Sequence, residues 1–230
     1  MLAGVESQAN WYFAQENQSF HELFGVGETR KSITGYNIHE PFGKNQQGGT
    51  AAMALGKLAN FVLDKGNDPI GLGRWCHFLV GTEARKSRIV VAYNPTRPNI
   101  SSRRTSYDGK TVWEQHERYF RSRGEDRDPR TLFHVHLTEQ LAEWRGKDEE
   151  VLLLTDLNEN VYDGRFETRL RQADIRMVEQ YHQCTGSHAP NSHKSGSKAI
   201  TGCFASPGLV CSNAFIAAHD SGAGDHRYHV

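Results

Sequence analysis

The sequence predicts one mixed α/β domain in which helices cover β-sheets, and three observations predict it. Short runs rich in β-branched and aromatic residues, "GRWCHFLVG" and "SRIVVAYNP", close on Gly or Pro as strands do. Two helical stretches follow in the middle of the chain, and a third apolar run, "VLLLTD", returns to strand. Strands, then helices, then strands again put helices against sheet faces. At 230 residues the chain can bury a real core, so residues 1–230 are read as a single domain.

In order along the chain, residues 2–6 read as the tail of a strand. "AQENQSFHELFG" reads as a short helix with Phe20, Leu23 and Phe24 at helical spacing. A loop, "GYNIHEPFGKNQQGG", leads to "TAAMALGKLANFVLD", whose type stays open: alanine favours helix, the Gly-Gly start favours strand. Residues 96–110, "TRPNISSRRTSYDGK", form a long polar loop. "TVWEQHERYFRSRG" and "PRTLFHVHLTEQLAEWRG" are helices. The second has Pro129 near its start and Phe133, Leu137, Gln140, Leu141 and Trp144 along one face. "DGRFETRLRQADI" is a charged helix, and from Ser187 onward short strands alternate with Ser/Gly/Pro turns.

Lys plus Arg and Asp plus Glu both total 27, so whole-chain charge favours no partner. A local basic patch still suffices for phosphate contacts. Cys76, Cys184, Cys203 and Cys211 lack any C-x-x-C spacing and read as reduced thiols, neither a disulfide framework nor a zinc site. No apolar run has the length of a membrane span, and with no basic n-region or long h-region in "MLAGVESQANW" no signal peptide is expected. The expected setting is intracellular, nuclear or cytoplasmic, with no membrane partner.

Chemistry enters at "VLLLTDLNEN". Strand side chains two apart share a face, so Asp156 and Asn158 emerge together. Alone, the pair is an ordinary way to stop a strand and open a turn. Gly224-Asp225-His226-Arg227 adds a carboxylate beside an imidazole in a glycine-rich loop, able to supply a metal or proton contact. Alone, that is an exposed turn. Glu6 ends an apolar strand where a solvated turn residue is usual, and Tyr93 closes another strand, where a packed ring is usual.

The order strand with Glu6, "GGT", strand with Tyr93, helix, "LLTDLNEN", "ITGCFASPG", "GDHR" resembles the endonuclease/exonuclease/phosphatase superfamily. Within it, the resemblance is nearest to apurinic/apyrimidinic and retroelement-associated endonucleases. Thr155 to Asn158 match the family's Gly-Asp-x-Asn, and Gly224 to His226 its Ser-Asp-His. The resemblance implies a four-layered DNase I-like α/β sandwich, two packed β-sheets flanked by helices. It implies a Mg²⁺- or Mn²⁺-dependent phosphodiester hydrolase, an endonuclease with DNA as substrate. A catalytically impaired binding module or retroelement relic, and a phosphatase of a small molecule or lipid, are the alternatives.

The same resemblance assigns roles. Glu6 stands at the metal-binding glutamate, with Asp225 serving the metal or its hydrogen-bond network. Asp156 stands where an aspartate orients or deprotonates the attacking water, and Asn158 where an asparagine fixes substrate. Tyr93 lies near the scissile phosphate, and His226 neutralises charge developing on phosphorus. Asn94, Arg97 and Thr201 are candidate substrate-phosphate contacts. Hard oxygen ligands suit Mg²⁺ or Mn²⁺.

Two departures are expected to matter. The family has a strand before the glutamate strand, ending in a metal-site asparagine, and this chain is expected to lack it and to stop short at its C-terminus. In "KAITGCFAS" the family carries an aspartate that orients the catalytic histidine; Thr201 stands there instead. A carboxylate beside an imidazole raises its pKa, whereas a hydroxyl supplies no charge, so reduced activity is expected. Arg97, Arg103 and Arg104 could track a nucleic-acid backbone with Tyr107 stacking on a base, the alternative being a solvated loop. His134 and His136 point to opposite sides of their helix and are read as ligands of nothing.

Overall fold

The computed structural model describes residues 2–5, 30–40, 48–98, 111–192 and 195–214. Among these the strands are β1 (Leu2–Val5), β2 (Arg30–Gly35), β3 (Thr50–Leu55), β4 (Val62–Asn67), β5 (Trp75–Gly81), β6 (Lys86–Tyr93), β7 (Glu150–Asp156), β8 (Val178–Glu179) and β9 (Thr201–Ala205). The helices are α1 (Lys57–Asn60), α2 (Val112–Arg121), α3 (Pro129–Gly146), α4 (Arg165–Gln172) and α5 (Gln180–Thr185). One sheet has the order β1-β3-β2 and the other β4-β5-β6-β7-β9-β8. All pairings are antiparallel except β6 with β7.

That one parallel pair follows from the helical middle of the chain. Parallel neighbours need a long crossover, and the stretch containing α2 and α3 supplies it. Both helices are well started. Thr111 caps α2, accepting from Glu114 N while the Glu114 carboxylate accepts from Thr111 N. Asp128 caps α3, accepting from the backbone N–H groups of Arg130 and Thr131, and Pro129 loses nothing at the first helical position.

Strand alternation then sorts the core. Val90 and Ala92 of β6, with Val151 and Leu153 of β7, pack against Phe133, Leu137, Leu141 and Trp144 of α3 and Phe166 and Leu170 of α4. The intervening Ile89 and Val91 face the other way, onto Ile33, Ala52 and Ala54 of the smaller sheet. The result is a helix–sheet–sheet stack in which the six-stranded sheet is covered on both faces. Burying each such Leu or Phe contributes about 1.5–3 kcal/mol. Two buried ion pairs brace the strand ends: Arg88 of β6 grips Glu149 at 2.6 and 2.8 Å, and Arg74 grips Asp68 at the same distances.

The ambiguous stretch resolves as strand, a single helical turn, then strand: β3, α1 and β4. Gly48 and Gly49 lead into it at φ 79° and 133°, values an L side chain resists. Gln140, expected on the buried face of α3, instead donates from Nε2 to Glu143 on the exposed side. The alternating strands expected of the tail reduce to β9 among the described residues, and β2, β8 and α5 were not expected. The helix expected within residues 14–25 lies outside the described residues. No helix among the described residues is long and apolar enough to cross a membrane.

Candidate active site

In a parallel pair both C-terminal ends open on the same rim, the usual place for a site in such a sheet. Here Tyr93 is the register partner of Asp156, each the last residue of its strand. The pairing continues one step further, Asn94 N donating to Asp156 O at 2.9 Å. Tyr93 and Asp156 are thus held side by side by ladder geometry, although 63 residues separate Asn94 from Leu157 in the chain.

Asp156 is 3% exposed, and its Oδ1 accepts from Asn158 N at 3.0 Å, closing a tight turn. Burial pushes the carboxyl up to about 7, against the Asn158 N–H and the positive charge of Arg130. The turn takes Asn158 to φ 51°, a left-handed conformation that asparagine tolerates better than most residues. Asn158 Nδ2 then donates to Asn94 O at 2.6 Å, locking the end of β7 to the end of β6. Between the two polar residues, Leu157 is buried in the helix-covered core and donates its N–H to Ile200 O.

Tyr93 is also buried. Its phenol is raised first by burial and then by the Asp156 charge, opposed by hydrogen bonds with Thr96 and Asn158. Asn94, expected as a phosphate contact, is enclosed: its Nδ2 donates to Leu157 O at 2.8 Å and lies 3.0 Å from His134 Nε2. The Leu157 carbonyl can only accept, so the amide orientation is fixed and His134 Nε2 is the acceptor. Burial and then the charge of Arg130 lower His134 to about 4, in keeping with a neutral ring. Asn94 Oδ1 has no partner among the described residues.

Thr201 is the register partner of Asp156 on the other side, across the antiparallel β7–β9 pair. Its hydroxyl is occupied with Ser192 Oγ at 2.8 Å, and Ser192 also accepts from Ile200 N and Thr201 N. Arg97 is exposed, its guanidinium 5.8 Å from the Trp113 ring centre. Glu6, Asp225 and His226 lie outside the described residues, as do Arg103, Arg104 and Tyr107.

Two neighbours were not anticipated. Arg130, in the first turn of α3, donates to Pro95 O at 3.4 Å, and its charge reaches Asp156, Tyr93 and Glu159. Its Nε is buried with no partner among the described residues. Glu159 Oε1 accepts from Phe166 N at 2.8 Å and sits 3.4 Å from His134 Nε2; burial raises its carboxyl. A cation in the first turn of a helix opposes the helix dipole, and that misfit was the readable signal for Arg130.

Among the described residues no group of three or more His, Cys, Asp or Glu side chains is gathered to hold a metal ion. Of the described rim residues, Asp156 offers one oxygen donor of the hard kind that a divalent cation takes. Burial pushes its carboxyl up to about 7, and positive charge beside it would favour the ionised form.

No protein-family model matches the chain, and no curated protein matches it. Solved structures match it in shape. An AP endonuclease from Archaeoglobus fulgidus has a TM-score of 0.59, with 96% of this chain and 84% of that one covered at 9% identity. A mannosyl-6-phosphatase from Bacteroides thetaiotaomicron gives 0.53 over 96% and 83% at 11% identity. An endonuclease/exonuclease/phosphatase family protein from the same organism gives 0.51 over 94% and 78% at 12% identity. The chain has the fold of the endonuclease/exonuclease/phosphatase proteins, the DNase I-like α/β sandwich.

Proposed function

We propose that the chain is a divalent-metal-dependent phosphodiester hydrolase, an endonuclease that cleaves DNA with an activated water. The observation that supports this best is the pairing of Tyr93 with Asp156 at one rim, with Asp156 raised to about 7. A carboxylate with that pKa is suited to take a proton from water at neutral pH. In this reading Asp156 accepts the proton as the water oxygen bonds to phosphorus and the P–O ester bond breaks. Asn158, braced by Asn94, fixes the direction of the Asp156 carboxylate through its backbone N–H. Arg130 and the exposed Arg97 draw the phosphate to the rim, and Tyr93 bounds its position. His226 offsets charge on phosphorus. Glu6 and Asp225 are the residues that would hold Mg²⁺ or Mn²⁺, and such an ion would supply positive charge toward the developing negative oxygen atoms.

The test is supercoiled plasmid incubated with the purified chain and Mg²⁺. Cleavage should require Mg²⁺, stop with EDTA and fall at least about 100-fold in Asp156→Ala. Cleavage unchanged by EDTA or by that substitution overturns the proposal. Release of phosphate from sugar phosphates with no effect on plasmid would favour the phosphatase alternative.

A second reading, the same fold with impaired catalysis, is favoured by Thr201. Its hydroxyl is engaged with Ser192, and it brings no charge to the rim. Thr201→Asp should raise metal-dependent cleavage if an orienting carboxylate is what the chain lacks. Robust turnover in the unaltered chain disposes of this reading.

A further inference from the structure

We infer that Cys184 and Cys211 form an oxidisable dithiol, at which peroxide joins the two side chains and fastens the segment after β9 to α5. Cys184 lies on α5 and is exposed, while Cys211 is partly exposed. The two are 27 positions apart in sequence, yet Cys184 Sγ donates to Cys211 O at 3.5 Å, while Cys211 Sγ donates to Asn213 O at 3.0 Å. Both line one open groove of about 570 Å³, together with Val178, Leu209 and Val210, so a small oxidant reaches them from solvent. The other cysteines are less accessible, although Cys203 lies near enough to Cys184 and Cys211 to feel their charge. Cys76 is enclosed between the two sheets, and Cys203 lies on β9 with its thiol pushed up to about 12 by burial.

The chemistry balances with hydrogen peroxide as the oxidant. One thiol loses its proton and its sulfur attacks a peroxide oxygen; the O–O bond breaks, releasing water and leaving a sulfenic acid. The second sulfur, deprotonated in turn, attacks the first and displaces the hydroxyl as a second water. Two thiols and one peroxide give one disulfide and two waters. Contact with Cys211, then burial, pushes Cys184 up to about 11, so at neutral pH Cys184 rests as a thiol and its oxidation quickens with rising pH.

The purified full chain is treated with hydrogen peroxide at pH 8, alkylated, digested without reductant and analysed by mass spectrometry. The expected product is a Cys184–Cys211 linked peptide that dithiothreitol separates. The oxidised chain should melt about 6–10 °C higher, because closing this loop restricts the unfolded chain. Cys184→Ser should abolish both effects, and Cys203→Ser should leave both. Four free thiols after peroxide, a link through Cys76 or Cys203, a link between two chains, or a sulfinic acid at Cys184 beside a free Cys211 would each overturn the inference. The unaltered chain decides the matter even if a variant folds poorly.

Discussion

Asp156 is where the chain sets stability against chemistry. Its carboxyl is raised from 3.8 to about 7 by burial, so the folded state holds its proton more tightly than the unfolded state. As pH rises through that window the unfolded chain gives up its proton first, and the folded state loses stability until both are ionised. Above pH 7 the shift corresponds to a cost on the order of 4 kcal/mol. Asp156→Asn keeps the acceptor for Asn158 N and removes the charge. At pH 8 that variant should melt roughly 10 °C higher while losing metal-dependent cleavage, and near pH 3.5 its advantage should vanish. Thermal melts at the two pH values check this; an equal or lower melting point at pH 8 would show that burial does not hold the carboxyl up.

The elements that carry the site differ in how openly their sequence declares them. α3 begins at Pro129 and ends on Gly146, and its bounds coincide with those expected from the proline and the apolar spacing; the Asp128 cap was not expected. The cap also fixes where Arg130 and His134 meet the rim. Asp128→Ala should therefore cost about 1 kcal/mol in urea unfolding, and it should lower cleavage by more than the lost stability accounts for. An effect on stability alone would separate the helix start from the site. β6 and β7 were equally legible, because long β-branched runs have few other uses. β2 was not: "RKSITG" is short and polar, and it is a strand because β3 pairs with it over six residues. β8 is two residues long and exists by pairing with β9. The same distinction holds within the site. Tyr93 and Asp156 end apolar strands and stand out in one dimension, whereas Asn158, expected to share a strand face with Asp156, lies past the end of β7 in a left-handed turn. Arg130 and Glu159 acquire their place only from the β6–β7 register and the docking of α3. Asn94, expected to touch phosphate, is enclosed because both strand ends close over it, which only the β6–β7 pairing reveals.

Across the whole molecule, buried imidazoles should set the response to acid. His116 donates from Nε2 to Leu72 O, and its Nδ1 is buried with no partner among the described residues. His77 Nδ1 is likewise buried without a partner and its ring packs on Trp144. His134 has Nε2 occupied as an acceptor. A proton added to any of these places a cation where little can solvate it, which is why burial lowers them from 6.5 to about 3 for His116 and about 4 for His77 and His134. The sign follows. Below pH 6.5 the unfolded chain takes up protons that the folded chain refuses, so stability falls with pH until the folded pKa values are reached. Each histidine contributes about 1.4 kcal/mol per pH unit in that interval. Asp156 and Glu159 titrate in the opposite sense and offset part of it. The net decline between pH 6 and 4.5 should be on the order of 2 kcal/mol per unit. Urea unfolding at half-unit steps should trace it, and His116→Gln, which keeps a donor toward Leu72 O, should flatten the slope by about one histidine's share. Stability that holds level from pH 7 to pH 5 would mean the folded chain accepts those protons, and the core around α2 and α3 would then have to admit water that its packing excludes.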